Sequence, residues 1–261
     1  MTSEVEKFEL SSEEELPIVL LHGTSGESED WSRVVEQIAK NRSVIRPNYF
    51  GRIAGNDRAD TPAISDLAAR VVDAARADGR VRFDLVGNSL GAGVATFIAA
   101  EYPEMVRSLV LISGFSYGSD PRMRLQFGLW LHLVQTDKIA LTMLLLTSGL
   151  SREFLLVFDE PTLDGVIKDF VASSDWPVIE DAIRVDISLD VRAQAQKIKA
   201  PTLLITGKYD HIVPSAYSED LASLIPNSKK VEISSGHLSF LEKPLDLAAA
   251  ILRFYKDEQY G

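Results

Sequence analysis

The run Phe83-Asp84-Leu85-Val86-Gly87-Asn88-Ser89-Leu90-Gly91-Ala92-Gly93 constrains this chain more than any other stretch. It reads as a short apolar strand entering a turn of small residues, with one serine at the tip. Glycine two residues to either side of a serine fits a tight strand-to-helix elbow, because bulkier Cβ groups clash where the backbone reverses and lifts the hydroxyl. The flanks agree. Residues 82–86 predict a buried strand, and residues 94–100, Val-Ala-Thr-Phe-Ile-Ala-Ala, predict a helix that ends before Pro103. Such a corner presents Ser89 as a nucleophile; a helix N-cap is the plainer reading of the same residue.

A serine hydroxyl is a poor nucleophile at neutral pH and needs a general base, which in turn needs an orienting partner. The chain has four histidines, His22, His132, His211 and His237. His237 follows the short apolar strand Val231-Glu232-Ile233 and a Ser234-Ser235-Gly236 loop, a place from which an imidazole can reach a shared crevice. Asp210 lies just past the strand predicted over residues 201–207, and Asp120 is its rival as the acid. His211 follows Asp210 too closely to fold back on it, and His132, amid apolar residues, reads as core or pocket wall. The order is Ser89, Asp210, His237. With no cysteine, the chain offers no disulfide framework, thiolate nucleophile or Cys-based metal site, and neither metal nor cofactor is expected.

These segments resemble the α/β-hydrolase superfamily. The likeness rests on Gly87-Asn88-Ser89-Leu90-Gly91, on the early Leu20-Leu21-His22-Gly23, on Gly207-x-x-Asp210 and on Gly236-His237, which come in the family's order and span most of the chain. It implies Ser89 as nucleophile, His237 as general base and then acid, and Asp210 as the carboxylate that fixes the imidazole tautomer. It also implies an oxyanion hole from the backbone N–H groups of Leu90 and Thr24, with His22 and Gly23 bracing that loop. Two departures stand out. Many relatives carry another glycine after His-Gly, where this chain has Thr24-Ser25-Gly26. After residues 43–47 relatives often show an aspartate and a Gly-x-Gly-x-Ser-like run, where this chain has Asn48-Tyr49-Phe50-Gly51-Arg52. That second loop is expected to border the site.

The remaining chain predicts alternating strands and helices, hence a mostly parallel sheet covered on both faces. Residues 8–10 and 18–21 begin it. Helices are predicted over 31–40, 64–77 and 244–255, and strands over 44–45 and 106–113. Over residues 115–199 the alternation gives way to helical periodicity, broken at 118–121, 148–149, 159–161 and 174–177. The expectation is an α/β core from residues 1–114 and 200–261, with a helical cap at 115–199 set over the nucleophile, where ligands bind in open α/β sheets. The cap's large apolar residues exceed one helical face, which predicts an apolar acyl or ring pocket between cap and core. Asn88, Tyr49, Trp130, Phe154 and Leu238 are its candidate residues, and Gly118 and Gly149 are candidate hinges of a moving lid.

The charge balance narrows the partners. Against 38 Asp and Glu stand 27 Lys and Arg, a formal charge of -11, with none of the clustered basic residues that a phosphate backbone requires. No nucleic-acid or membrane partner is expected; the apolar run from Ile139 is interrupted by Thr142, Thr147, Ser148 and Gly149. The acidic N-terminus lacks the basic and apolar regions of a signal peptide, so a cytoplasmic location is the default. The expected partner is an apolar small molecule. Hydrolysis of its carboxylic ester, lactone or thioester through an acyl-enzyme leads. C–C hydrolysis of a diketone, biosynthetic cyclisation or acyl transfer, and non-catalytic ligand binding are the competing readings.

Overall fold

The computed structural model describes residues 16–40, 42–51 and 61–259. The strand expected at residues 8–10, and most of the departing loop after Gly51, lie outside the described residues. Among the described residues six strands form one sheet: β1 (Ile18–Leu21), β2 (Val44–Ile45), β3 (Phe83–Asn88), β4 (Val106–Ile112), β5 (Thr202–Gly207) and β6 (Ser228–Ile233). Their order is β2-β1-β3-β4-β5-β6, and every neighbouring pair is parallel. β1, β3 and β5 are buried along their whole length, which is why they are rich in apolar residues; the one charge among them, Asp84 on β3, is paired with Arg42 and Arg107. β6 is the exposed edge, and Lys229, Lys230 and Glu232 put charge along it.

Alternation within the strands sorts the core into two layers. Val19, Leu21, Leu85, Leu109 and Leu111 pack with α2 (Ile64–Ala77) and α3 (Leu90–Glu101). Ile18, Leu20, Val86, Val110 and Ile112 face the opposite way, onto α1 (Ser32–Ile38) and α12 (Pro244–Gln259). β2 lies on one side of β1 and β3 on the other, so the direction of winding reverses between β1 and β3. Crevices open at the carboxyl ends of such strands.

A helical insertion separates β4 from β5: α4 (Pro121–Thr136), α5 (Lys138–Gly149), α6 (Arg152–Leu155), α7 (Glu160–Ser173), α8 (Trp176–Ser188) and α9 (Arg192–Ala195). Asp120, Asp137, Ser151, Asp159 and Asp175 cap the first five by accepting backbone N–H groups. The break at Asp137 was not among those expected, although an aspartate ahead of an apolar run is a helix-start signal. Phe115, Met123, Phe127, Trp130, Leu141 and Ile183 form a separate apolar cluster inside the insertion. α9 packs on α3 and on α10 (Ser215–Leu224), and Ala195 and Ile198 join the α2–α3 side of the core.

His132 does not lie in the core or in a pocket wall. Phe127, Trp130 and Val134 take the buried face of α4, and the helical turn carries His132 to the exposed side. Among the described residues, no helix is long and apolar enough to cross a membrane.

Candidate active site

Ser89 occupies the turn between β3 and α3 with φ 54° and ψ -119°, a conformation that L side chains rarely adopt. Its own backbone holds it there. Ser89 N–H donates to the Ile112 carbonyl at 2.9 Å, and the Ser89 carbonyl accepts from Ala92 N at 2.9 Å and Gly93 N at 3.3 Å. The flanking glycines are required by close approach. A Cβ on Gly91 would stand 2.5 Å from the His22 carbonyl oxygen and 2.6 Å from that of Leu21, and one on Gly87 would meet the Gly91 carbonyl. Leu90 opens α3, so its N–H has no acceptor within the helix and carries the positive end of the helix dipole.

Asp210 and His237 come from the ends of β5 and β6. Lys208 N–H donates to Ile233 O at 2.8 Å and Tyr209 N–H to Ser235 O at 2.9 Å, which bind the two loops together just past the sheet. His237 Nδ1 and Asp210 Oδ2 are 2.8 Å apart, and both residues are 5 % exposed. Asp210 Oδ1 accepts from Ile212 N at 2.9 Å and Val213 N at 2.8 Å, so the carboxyl is fixed from both sides. Because a carboxylate only accepts, the Nδ1 proton belongs to His237 and the Nε2 lone pair is left free. Asp120 has other duties: it caps α4 and accepts the Tyr217 hydroxyl at 2.9 Å.

Ser89 and His237 line one cavity of about 430 Å³, together with Gly23, Thr24 and Asn88. Among the described residues no hydrogen bond joins the Ser89 hydroxyl to the imidazole; such contacts commonly close only when substrate is bound. Trp130, Leu145, Leu146, Val166 and Phe170 bring the insertion's apolar side chains to the cavity, facing Leu238 and Phe240 of the core. Its polar edge carries Glu29, Asp30 and Arg33, and burial pushes the Asp30 carboxyl up to about 6.

Two of the expected pocket residues do not line it. Tyr49 turns beneath the loop after β1, where its hydroxyl donates to the His22 carbonyl at 2.6 Å and its ring stacks on His22 at 4.6 Å. Phe154 packs edge-on against Phe158 at 5.6 Å on α6. His22 braces the loop from inside. Its Nδ1 donates to Gly23 O at 2.9 Å, and burial pulls it down to about 4, so the ring is neutral.

A family model described as the alpha/beta hydrolase fold matches residues 17–244. The chain belongs to the α/β-hydrolase family. It is 36 % identical over 242 residues to pyrrolizixenacetamide deacetylase of Xenorhabdus hominickii, covering 92 % of this chain and 91 % of the relative. It is 26 % identical over 251 residues to 2-hydroxy-6-oxo-6-(2'-aminophenyl)hexa-2,4-dienoic acid hydrolase of Metapseudomonas resinovorans, covering 91 % and 83 %. Among solved structures, an alpha/beta hydrolase enzyme from a Medee basin deep-sea metagenome library superposes with a TM-score of 0.86 at 21 % identity, over 95 % of this chain and 92 % of that one. The chain is accordingly a hydrolase.

Two carboxyls that tie the loops of this α/β hydrolase together, a half-buried Glu242 and a buried Asp186, are not announced by its sequence. Glu242 on α11 (Ser239–Glu242) accepts from Gly236 N and Ser151 N, both at 2.9 Å, and from the Ser151 hydroxyl. It thereby ties the loop before His237 to the N-cap of α6. Asp186, fully buried at the end of α8, accepts the Thr24 hydroxyl at 2.6 Å. Burial raises it to about 8, against the opposing pull of the Thr24 hydrogen bond. No group of three or more His, Cys, Asp or Glu side chains able to hold a metal ion occurs among the described residues.

Proposed function

We propose that this hydrolase cleaves a carboxylic ester, lactone or thioester of an apolar small molecule through an acyl-enzyme on Ser89, with residues 115–199 acting as the cap. The observation that carries the reading is the pairing of a strained Ser89 with His237 on one cavity, the imidazole being held at 2.8 Å by an Asp210 carboxyl that two backbone N–H groups fix in turn. Ser89 Oγ attacks the carbonyl carbon and its proton passes to His237 Nε2. The Leu90 and Thr24 amides receive the negative oxygen, and His237 gives the proton to the leaving group. Water then adds to the acyl-enzyme, with His237 taking and returning one proton, and the acid is released.

The relative named a deacetylase extends the bond to an acetylated nitrogen, since expelling an amine needs the same proton from His237. The relative named a dienoic acid hydrolase supports C–C cleavage of a diketone as the second reading. The cavity's apolar walls support an apolar acyl or ring group in either case.

A fluorophosphonate probe, applied beside a series of p-nitrophenyl esters of increasing chain length and an N-acetyl arylamide, tests the reading. Labelling and turnover in the parent, both lost in Ser89→Ala, are the expected result. Labelling without turnover of any acyl substrate moves the assignment to C–C cleavage or cyclisation. Turnover that survives Ser89→Ala refutes the nucleophile.

A further inference from the structure

A carboxyl with no cation beside it is an expensive thing to bury, and Asp186 is such a group. It is 0 % exposed, and among the described residues its one hydrogen-bond donor is the Thr24 hydroxyl on Oδ2, while Oδ1 has no partner. An apolar side chain of the same size would suit the packing better, so the carboxyl is a local cost, and such costs gather where a protein does its work.

The backbone around Asp186 is held firmly. Gly118 lies against its carbonyl so closely that a Cβ has no room there. Gly118 N donates to Leu189 O at 2.9 Å and Val191 N to Ser116 O at 2.8 Å, pairing the two ends of the insertion. Leu189 rests on Gly93 of α3, the helix that begins immediately after Ser89. The end of α8 is therefore fixed to the elbow, and through Asp186 it reaches across to the loop after β1.

We propose that Asp186 is a positioning residue for acyl transfer: by accepting the Thr24 hydroxyl it fixes the Gly23–Thr24 backbone, and with it the amide that faces the oxyanion. The proposal rests on the reading of Ser89 as nucleophile and of Thr24 as an oxyanion donor. A threonine hydroxyl left free rotates among neighbouring acceptors, and the loop loses the side-chain bond that ties it to the insertion. Oxyanion donors act because they are already aimed, so loosening one loses part of its effect without removing the group.

The proton on Asp186 matters for the same reason. A neutral carboxyl accepts the Thr24 hydroxyl without opposing a negative oxygen nearby, whereas an ionised one repels it. With burial raising the group to about 8, the acid keeps its proton at neutral pH and loses it just above. The titratable groups on the segments packed around it are Tyr49 and His22 below, Tyr117, Asp190 and Arg192 beside it, Glu180, Asp181 and Arg184 on α8 itself, and Arg122, Arg124 and His132 on the neighbouring α4. Burial holds Tyr49 above the ordinary phenol range and His22 at about 4, so neither changes charge near pH 8.

The test uses the full chain as parent, Asp186→Leu, Asp186→Asn, Thr24→Val, the Asp186→Leu/Thr24→Val double variant and Ser89→Ala. The readouts are kcat and KM on the best p-nitrophenyl ester, and the fluorophosphonate labelling rate, from about pH 6 to pH 9. Asp186→Leu and Thr24→Val should each lower kcat about 10- to 100-fold, less than the loss of an oxyanion donor itself, with little change in KM. The double variant should be no worse than either single one, as expected of two residues acting through one contact. Asp186→Asn, which keeps an acceptor oxygen, should restore most of the loss and lack the fall in kcat that the parent shows above pH 8. Parental kcat in Asp186→Leu, additive losses, or the same alkaline fall in Asp186→Asn would each overturn the proposal. Should Asp186→Leu fail to fold, Thr24→Val and the pH profile of Asp186→Asn decide it. Turnover that persists in Ser89→Ala sinks the underlying acyl-enzyme reading instead, and is told apart by that variant alone.

Discussion

Replacing Asp186 by asparagine should make the protein more stable at neutral pH and less stable in acid. The folded state holds the Asp186 proton up to about pH 8, whereas an ordinary carboxyl releases it near 3.8. Between those values the unfolded chain has given up a proton that the folded chain keeps, so stability falls as pH rises through this window, by about 1.4 kcal/mol per unit. Above the folded-state value both states are ionised and the fall levels off. At pH 7 about three units of the window have been crossed, a cost of at most about 4 kcal/mol. Asparagine does not titrate and escapes this cost, but its amide N–H groups enter the space where Oδ1 finds no partner, at about 1–3 kcal/mol. The balance favours Asp186→Asn by about 1–3 kcal/mol at pH 7 and reverses at about pH 4.5 to 6, where the two terms meet. Urea unfolding of both proteins, followed by circular dichroism across that range, gives the difference directly, and groups common to both cancel. A stability difference that does not vary with pH would refute the reasoning, because it would mean that Asp186 titrates normally in the folded state.

Gly91→Ala places a methyl group against the His22 and Leu21 carbonyls and should cost on the order of 3 kcal/mol, seen as a lowered Tm together with a lost fluorophosphonate reaction. Glu242→Ala leaves the Gly236 and Ser151 N–H groups without their acceptor, at about 1–3 kcal/mol each; kcat should fall more than KM rises, and Glu242→Gln should recover part of the loss. Leu145→Trp fills part of the cavity and should reduce kcat/KM for long-chain esters about tenfold or more relative to acetate esters, a ratio that stays at the parental value if acyl groups bind elsewhere.

Local signals carried most of the fold. Residues 18–21, 44–45 and 64–77 could be bounded from sequence because short apolar runs between polar turns read as strands and α2 shows one apolar face. The elbow was legible for the same reason, its glycines being demanded by contacts within a few residues and with the neighbouring strand's end. The family match bears out the α/β-hydrolase fold. What could not be read depends on contacts distant in sequence. Arg184-Val185-Asp186-Ile187-Ser188 looks like a solvated helix end, and nothing in it announces a partner 162 residues earlier. Nothing in Leu241-Glu242-Lys243-Pro244 announces that Glu242 reaches Ser151, 91 residues away. Tyr49 lies in the loop expected to border the site, but a hydroxyl needing an acceptor found the His22 carbonyl and turned the ring inward.

The contacts of the insertion bear on how a substrate reaches Ser89. Gly118 and Gly149, the two expected hinges, lie where the insertion is pinned. Gly149 O accepts from Leu238 N at 3.3 Å, Ser148 O from His211 N at 3.2 Å, and Ser151 holds Glu242, all beside the loops of Asp210 and His237. Asp186 pins the far end to Thr24. Lifting the insertion as one body would break these bonds together, at about 0.5–1.5 kcal/mol each before any apolar contact is lost, and would disturb both candidate loops at once. α7 differs from the helices around it. Over 14 residues it has no fully buried one, unlike α4, α5 and α8, although Val166 and Phe170 on it line the cavity. A local shift of α7 would leave the bonds at Thr24, Asp210 and His237 intact, and hydrogen exchange should then show the α7 amides opening before those of α4, α5 and α8; equal protection in all four would refute this route.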